Sequence, residues 1–174
     1  MKLYRSPLLG ATINQTGKKI YFFGGIFSQW HSGYIEDDLT DNVFTCAEQG
    51  MMFYKANLFN DEAAADAILR ENDPSKQKAL GRTIEKYDDV LWSKIRFDVV
   101  SHINYLKFSQ SPRLKTLLIM SSIYELVEAS PYDKIWGVGL AEDDPLIYDK
   151  KNWKGENLLG KAIMAARAKI ISEL

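Results

Sequence analysis

The side chains in this chain best suited to making or breaking a bond are carboxylates accompanied by aromatics. Glu48 and Lys55 are spaced so that on a helix they share nearly one face, two turns apart, with Met51 and Met52 between them. Polar groups that bracket a buried stripe suggest the wall of a pocket. Asp133 sits in the stretch LVEASPYDKIWGVGL, Leu126 to Leu140, directly after Pro131-Tyr132 and just before Trp136, Gly137 and Gly139. A solvated loop seldom spends a Tyr and a Trp, and a regular element seldom carries this much Pro and Gly. Loops that present aromatics beside a carboxylate from the end of a strand are where binding and catalysis tend to sit. Phe27-Ser28-Gln29-Trp30 likewise follows a double Gly with an aromatic beside hydrogen-bonding groups.

Each of these residues has a plainer reading. Thr45 stands three residues before Glu48, a capping-box spacing in which Glu48 only closes the helix start. Asp133 commonly initiates a turn, and Trp92 in the first turns of a helix is ordinarily core. Cys46 reads as a small buried helix residue, since a nucleophile would want a base nearby. Taken together, aromatic walls from Trp92 and Trp136, amide and hydroxyl groups, and at least two carboxylates suit a nucleoside-like ligand. Such a ligand needs stacking for its base and hydrogen bonds for its sugar.

Other chemistries lack their residues. Gly137 and Gly139 have no third Gly and no helix start, so no Gly-rich phosphate loop is present, and no Gly-x-Ser-x-Gly elbow occurs. His31 and His102 are the only histidines, and neither has a His or Cys at metal-ligand spacing. Zinc is not expected, an all-carboxylate site stays open, and no cofactor is called for.

The elements that must hold these groups follow from pattern. Lys19 to Gly24 reads as a strand stopped by Gly24-Gly25, and a second extended piece surrounds Gly33 to Ile35, with Asp37-Asp38 as a turn. Thr45 to Phe59 is helical, with Ala47, Met51, Tyr54 and Leu58 recurring at spacings of three and four. Asn60-Asp61 is a stop and restart before a helix over Glu62 to Arg70. Asp73-Pro74 then gives an N-cap with Pro at N1, and Gly81 a stop. The longest helix is predicted from Asp88 to Phe108, with Leu91, Ile95, Val99, His102 or Ile103, and Leu106 facing the core. A short helix runs from Ser111-Pro112 to Met120, Tyr124 to Glu128 is a strand, Lys151 to Gly155 is a Trp-bearing turn, and the last helix covers Asn157 to Ser172. These describe a mainly helical α+β single domain with a small sheet, without the alternation of a doubly wound fold.

At 174 residues with 46% hydrophobic and 26% charged content, the chain can bury a core without disulfides. A formal charge of −1 argues against coating duplex DNA through its phosphates, which takes a basic excess. It does not exclude recognition of one modified nucleotide. The single Cys46 rules out an internal disulfide. No apolar run approaches membrane-spanning length and no signal-peptide core opens the chain, so a cytoplasmic protein without a membrane partner is expected.

The order and spacing of the motifs resemble the NADAR family, which includes YbiA-like proteins. The resemblance runs from about Phe22 to Arg167. It is carried by FSQW at Phe27 to Trp30, TCAEQ at Thr45 to Gln49 with Lys55-Ala56, and DP…LGR from Asp73 to Arg82. It continues with Trp92 and Arg96, Asn104 with KFSQ at Lys107 to Gln110, LVEASPYDKIWGVGL, and WKGENLLG at Trp153 to Gly160. Gln29 departs from the pattern, where Asn is expected. The resemblance implies an N-glycoside hydrolase acting on ADP-ribose attached to guanine in DNA or RNA, with a DNA ADP-ribosyltransferase as functional counterpart. The alternatives it carries are phosphoribosylamino intermediates of riboflavin synthesis, or a module that binds ADP-ribose without cleaving it. It implies activity residues at Glu48, Trp92 and Asp133, with Lys55 as a further catalytic candidate. Substrate contacts are expected from Ser28, Gln29, Trp30, Arg82, Gln110, Tyr132, Trp136, Gly137 and Asn157. Lys150, Lys151 and Lys154 could steer a phosphate-bearing substrate, although lysines near a turn are commonly just solvated. Cleaving the C1–N bond of a ribose builds positive charge on the sugar, which a carboxylate stabilises. Glu48 is then the acid/base and Asp133 the group holding ribose or water. A second route captures the opened sugar as a Schiff base on Lys55.

Overall fold

The computed structural model describes residues 2–174. The chain is α+β and mainly helical, and it groups into two compact units. One takes the residues up to Ser28 together with Ser111–Leu174, and the other takes Gln29–Gln110.

The first unit is built on a four-stranded sheet. Strands β1 (Leu3–Ser6), β2 (Ala11–Asn14) and β3 (Lys19–Phe22) pair antiparallel, and β6 (Glu125–Glu128) adds parallel to β3 with Tyr21 opposite Val127. Neither β1 nor β2 is visible in the sequence pattern. Leu3, Tyr4 and Arg5 are exposed while polar Ser6 is buried, so the apolar alternation that signals a half-buried strand is missing. Tyr21, Val127, Ala129, Val138, Leu140 and Ile147 form the core beside this sheet, with Tyr148 and Trp153 packed against it. Helix α5 (Pro112–Met120) starts at Ser111, whose hydroxyl accepts from Leu114 N–H. Helix α6 (Leu158–Ser172) lies so close to β6 that a Cβ on Gly160 would collide with the Leu126 carbonyl. Arg167 on α6 donates to the Ser121 and Tyr124 carbonyls, tying α6 to the segment between α5 and β6.

The second unit holds a hairpin and four helices. Strands β4 (Ile35–Asp37) and β5 (Asn42–Phe44) pair with Ile35 opposite Phe44, both buried. Asp37 points inward at 1% exposure and accepts hydrogen bonds from Tyr54, Thr40 and His102. Burial works to raise its pKa, but these bonds together hold the carboxyl below its usual value. Helix α1 (Ala47–Leu58) is followed by α2 (Glu62–Arg70) and α3 (Pro74–Leu80), capped by Asp61 and Asp73. The left-handed Asn60 (φ 54°) makes the stop between α1 and α2. Helix α4 (Asp89–Ser109) starts at its cap Asp88.

Its buried face differs from the expected one. Leu91 is 45% exposed, while Trp92, Val99, Val100, Ile103, Asn104, Lys107 and Phe108 are buried. The polar members Asn104 and Lys107 hid the true stripe from a hydrophobicity count. Gly50 lets α1 approach α4, because a Cβ there would meet Ile103 Cδ1 at 2.9 Å and Phe44 Cδ2 at 3.0 Å.

Candidate active site

The first turn of α1 departs from the predicted capping box. The helix begins at Ala47 with Cys46 as N-cap, and Cys46 makes no side-chain cap bond. Gln49, one residue beyond Glu48, performs the closure. Its Oε1 accepts the Thr45 N–H at 2.7 Å and the Thr45 hydroxyl at 3.1 Å. Its NH₂ group donates to the Ile68 and Glu71 carbonyls, both at 2.9 Å, which sews the start of α1 to the end of α2. Glu48 is thus released from capping, yet its side chain is buried at 2% exposure. Burying a carboxylate is costly, and a carboxylate buried in the first turn of a helix is a functional candidate.

Gln29 and Glu48 are brought together by a backbone bond from Glu48 N–H to the Gln29 carbonyl, at 3.0 Å. The Gln29 side chain turns toward α4, where its Oε1 accepts from Asn104 Nδ2 at 2.9 Å. The same Nδ2 donates to the Val100 carbonyl at 2.8 Å, which fixes the Asn104 amide's orientation. Gln29 is therefore anchored against α4, with 8% of it exposed and its Nε2 buried without a hydrogen-bond partner. Its neighbour Trp30 is 47% exposed.

Two turns along α1 from Glu48, Lys55 is half-buried. Its Nζ donates to the Gly81 carbonyl at 2.7 Å and lies 4.2 Å from the centre of the Tyr87 ring. Burial pushes the ammonium's pKa down, and the Arg82 charge adds to this, while Asp89 and Glu48 pull the other way. Glu48 and Lys55 thus belong to one electrostatic neighbourhood, as their spacing predicts. Arg82 is exposed beside Gly81. Trp92, in the first turn of α4, is buried at 5% exposure.

Lys107 is the residue that the sequence left without a role. It is 3% exposed, and burial drives its pKa down to about 7, the Cys46 charge working in the opposite sense. The Cys46 thiol is pushed up, chiefly by burial, and donates to Gln77 Oε1 at 3.1 Å. Two signals pointed to Lys107: its place at the head of the KFSQ motif, and a lysine three residues after Asn104 on a face otherwise apolar.

In the first unit, the loop after β6 is a built turn. Asp133 Oδ1 accepts the N–H groups of Ile135 (2.9 Å) and Trp136 (2.8 Å), so the turn-forming role is real; its Oδ2 stays available. Ser130 Oγ accepts from Asp133 N–H at 3.2 Å. Gly137 is buried and needed for close approach, since a Cβ there would stand 2.8 Å from Ser130 Cβ. Trp136 is half-buried, its carbonyl accepting from Leu159 N–H at 3.1 Å. Tyr132 is 87% exposed and touches the Phe23 ring, centroids 6.5 Å apart. Ser28 is half-buried.

Two of the expected contacts also hold the fold. Asn157, buried and left-handed (φ 55°), accepts from Glu128 N–H and donates to the Leu126 carbonyl, both at 2.9 Å. It completes the hydrogen bonding of β6. Gln110 clamps the Glu36 backbone by accepting its N–H at 2.9 Å and donating to its carbonyl at 2.7 Å. Each amide thereby uses one lone pair of its oxygen and one N–H of its nitrogen. Of the steering lysines, Lys150 is engaged with Glu125 and the Trp153 ring. Among the described residues, no group of three or more His, Cys, Asp or Glu side chains could hold a metal ion. No helix there is long and apolar enough to cross a membrane.

Comparison with known proteins gives these arrangements a family. A model of the NADAR domain matches residues 21–171. The chain is 38% identical over 164 residues to N-glycosidase R617 of Acanthamoeba polyphaga mimivirus, spanning 88% of this chain and 96% of that protein. It is 30% identical over 129 residues to the chloroplastic riboflavin biosynthesis protein PYRR of Zea mays, spanning 68% of this chain but 19% of that protein. The NMR structure of the E. coli protein YbiA superposes with a TM-score of 0.74 at 25% identity, covering 92% of this chain and 89% of that one. The buried Glu48, the Gln49 closure and the Ser130–Gly137 turn are thus features of a chain that belongs to the NADAR family.

Proposed function

We propose that this protein removes ADP-ribose from guanine in nucleic acid by hydrolysing the N-glycosyl bond, with Glu48 as general acid/base. The observation that carries this reading is a carboxylate kept at 2% exposure in the first turn of α1 while its neighbour Gln49 performs the capping. The protein is a hydrolase acting on N-glycosyl bonds: its family domain fills most of the chain, and a relative of nearly equal extent is named an N-glycosidase.

The chemistry adds water across a C1–N bond. The departing base takes a proton, the anomeric carbon takes a hydroxyl, and positive charge spreads over the sugar between the two events. A carboxylate in a dry site stabilises that charge more than it stabilises the neutral ground state. Glu48 protonates the base or activates the water, and Asp133 Oδ2 is assigned to the ribose or the water. In the second route, the ribose ring opens as C1 forms an imine with the base nitrogen. Lys55 adds to C1 and expels the base as its protonated amine, and water then hydrolyses the lysine imine to release the sugar aldehyde and the free lysine. The burial and the Arg82 charge that lower the Lys55 pKa favour the neutral amine this route needs. Borohydride trapping with mass spectrometry separates the routes: an adduct on Lys55 during turnover supports the imine, and its absence supports direct hydrolysis. An ADP-ribosyltransferase that marks guanine is the counterpart such a hydrolase requires.

The name of the maize relative favours a second reading, cleavage of a phosphoribosylaminopyrimidine. Incubation with ADP-ribosylated guanosine or DNA, and separately with that intermediate, distinguishes them by release of ADP-ribose or of ribose phosphate. Failure to release ADP-ribose would overturn the leading reading.

A further inference from the structure

Gln29 and Asn104 share a hydrogen bond, within the Gln29–Gln110 unit, that leaves each with one buried polar atom unmet. Asn104, fully buried on α4, donates through Nδ2 to the Val100 carbonyl at 2.8 Å and to Gln29 Oε1 at 2.9 Å. A backbone carbonyl only accepts, so Val100 decides which end of the Asn104 amide is its NH₂. That NH₂ in turn requires Gln29 to meet it with oxygen. The other two ends are thereby fixed: a donor at Gln29 Nε2 and an acceptor at Asn104 Oδ1. Both atoms are buried, and neither has a hydrogen-bond partner among the described residues. Buried amide groups are seldom left in this state, because their desolvation is compensated only when they meet a partner. The pair uses a glutamine where the motif leads one to expect Asn. It also adjoins the proposed acid/base, since the Gln29 carbonyl accepts the Glu48 N–H at 3.0 Å.

We propose that Gln29 Nε2 and Asn104 Oδ1 form a subsite that holds the vicinal 2- and 3-hydroxyls of the ribose whose N-glycosyl bond is cleaved. A hydroxyl both donates and accepts, and it rotates to suit its partners. One sugar oxygen takes the Gln29 N–H while the neighbouring O–H donates to Asn104 Oδ1. The edge of a nucleobase fits less well. A planar edge pairs with the oxygen and nitrogen of a single amide, whereas here the free donor and the free acceptor belong to different amides. Hydrogen bonds at the 2-hydroxyl also strengthen as a glycoside reaches its transition state, which suits a place beside Glu48. The inference rests on the N-glycosidase reading of Glu48 and names the part of the substrate that is read: a ribose with its 2-hydroxyl, not a 2-deoxyribose. Asn104 orients Gln29, and both meet hydroxyls and not the reacting carbon.

Calorimetric titration with ribose 5-phosphate and with 2-deoxyribose 5-phosphate tests the subsite without requiring turnover, since the two probes differ only at the 2-hydroxyl. The wild type should bind the ribose form about tenfold or more tightly. Gln29→Met keeps the side chain's length and removes its polar atoms, so the preference should collapse to about unity through weaker binding of the ribose form. In the ¹⁵N-labelled wild type, ribose 5-phosphate should shift the side-chain NH₂ signals of Gln29 and Asn104 while the deoxy form leaves them in place. That reading needs no variant and holds if Gln29→Met melts early. AMP and 2′-deoxy-AMP test the other sugar of an ADP-ribose, and a preference confined to AMP would overturn the assignment. So would equal binding of the two sugar phosphates, no wild-type binding of ribose 5-phosphate, a preference that survives in folded Gln29→Met, or Gln29-dependent binding of free guanine. A Gln29-dependent ribose preference in a protein that cleaves no N-glycoside would keep the subsite and overturn the hydrolase reading. Cleavage without that preference would do the reverse.

Discussion

The amide oxygen of Gln49 accepts both the backbone N–H and the hydroxyl of Thr45, at 2.7 and 3.1 Å. Through the same side chain the start of α1 is fastened to the carbonyls that end α2. The closing of this turn therefore falls on Gln49 and not on Glu48.

Glu48→Gln and Gln49→Ala should consequently fail in opposite ways. Removing the ionisable group at Glu48 should lower hydrolysis by about 10²–10⁴-fold, the usual contribution of a general acid or base, while the melting temperature stays within a few degrees. Gln49→Ala strands buried carbonyls of α2 and should cost about 2–4 kcal/mol in denaturant unfolding. An early melt for Glu48→Gln would return that residue to a structural role.

Asp133 Oδ1 builds the turn, and Oδ2 is assigned to the ribose or the water in the proposed function. Asp133→Asn keeps an oxygen able to accept the Ile135 and Trp136 N–H groups, so the turn should survive, as thermal melting would report. If its charge serves the reaction, turnover should still fall by about 10²-fold or more. Full activity in a folded Asp133→Asn protein would confine this residue to turn building.

Burial lowers the Lys107 pKa from 10.5 to about 7. Between those values the unfolded chain holds a proton that the folded protein has released. Stability from this group therefore rises with pH across that window, with a slope of up to about 1.4 kcal/mol per pH unit. Below about 7 both states are protonated and the penalty for the buried charge is complete. Urea unfolding of wild type and Lys107→Met over this range should give curves whose difference carries that slope. A flat difference would mean that the folded ammonium keeps its proton.

Asn157→Asp should lower stability and leave substrate affinity nearly untouched, because the side chain serves β6. The new carboxylate can still accept from Glu128 N–H but would face the Leu126 carbonyl where an N–H donated before. Loss of about 2 kcal/mol or more in unfolding is expected. A raised KM at unchanged stability would assign Asn157 to the ligand.

Local chemistry made much of this protein legible from its residues in order. Asp61, Asp73 and Ser111 announced their helices because a capping side chain acts on backbone groups two or three residues away. The i, i+7 relation of Glu48 and Lys55 follows from helix pitch alone, and the run of motifs placed the chain in its family. Strands β1 and β2 escaped because a sheet makes a strand of Leu3–Ser6 through its partner, whatever the strand's own pattern. Which residue at the start of α1 caps, and which is buried, was decided by the carbonyls at the end of α2, distant in sequence and near only after folding. The same holds for Asn157 and Gln110, whose amides were claimed by backbone groups of β6 and β4. Residue types and spacing determined the family and the catalytic vocabulary. Tertiary packing decided which backbone groups each polar side chain serves, because hydrogen-bond partners are set by distance in space and a sequence specifies only distance along the chain.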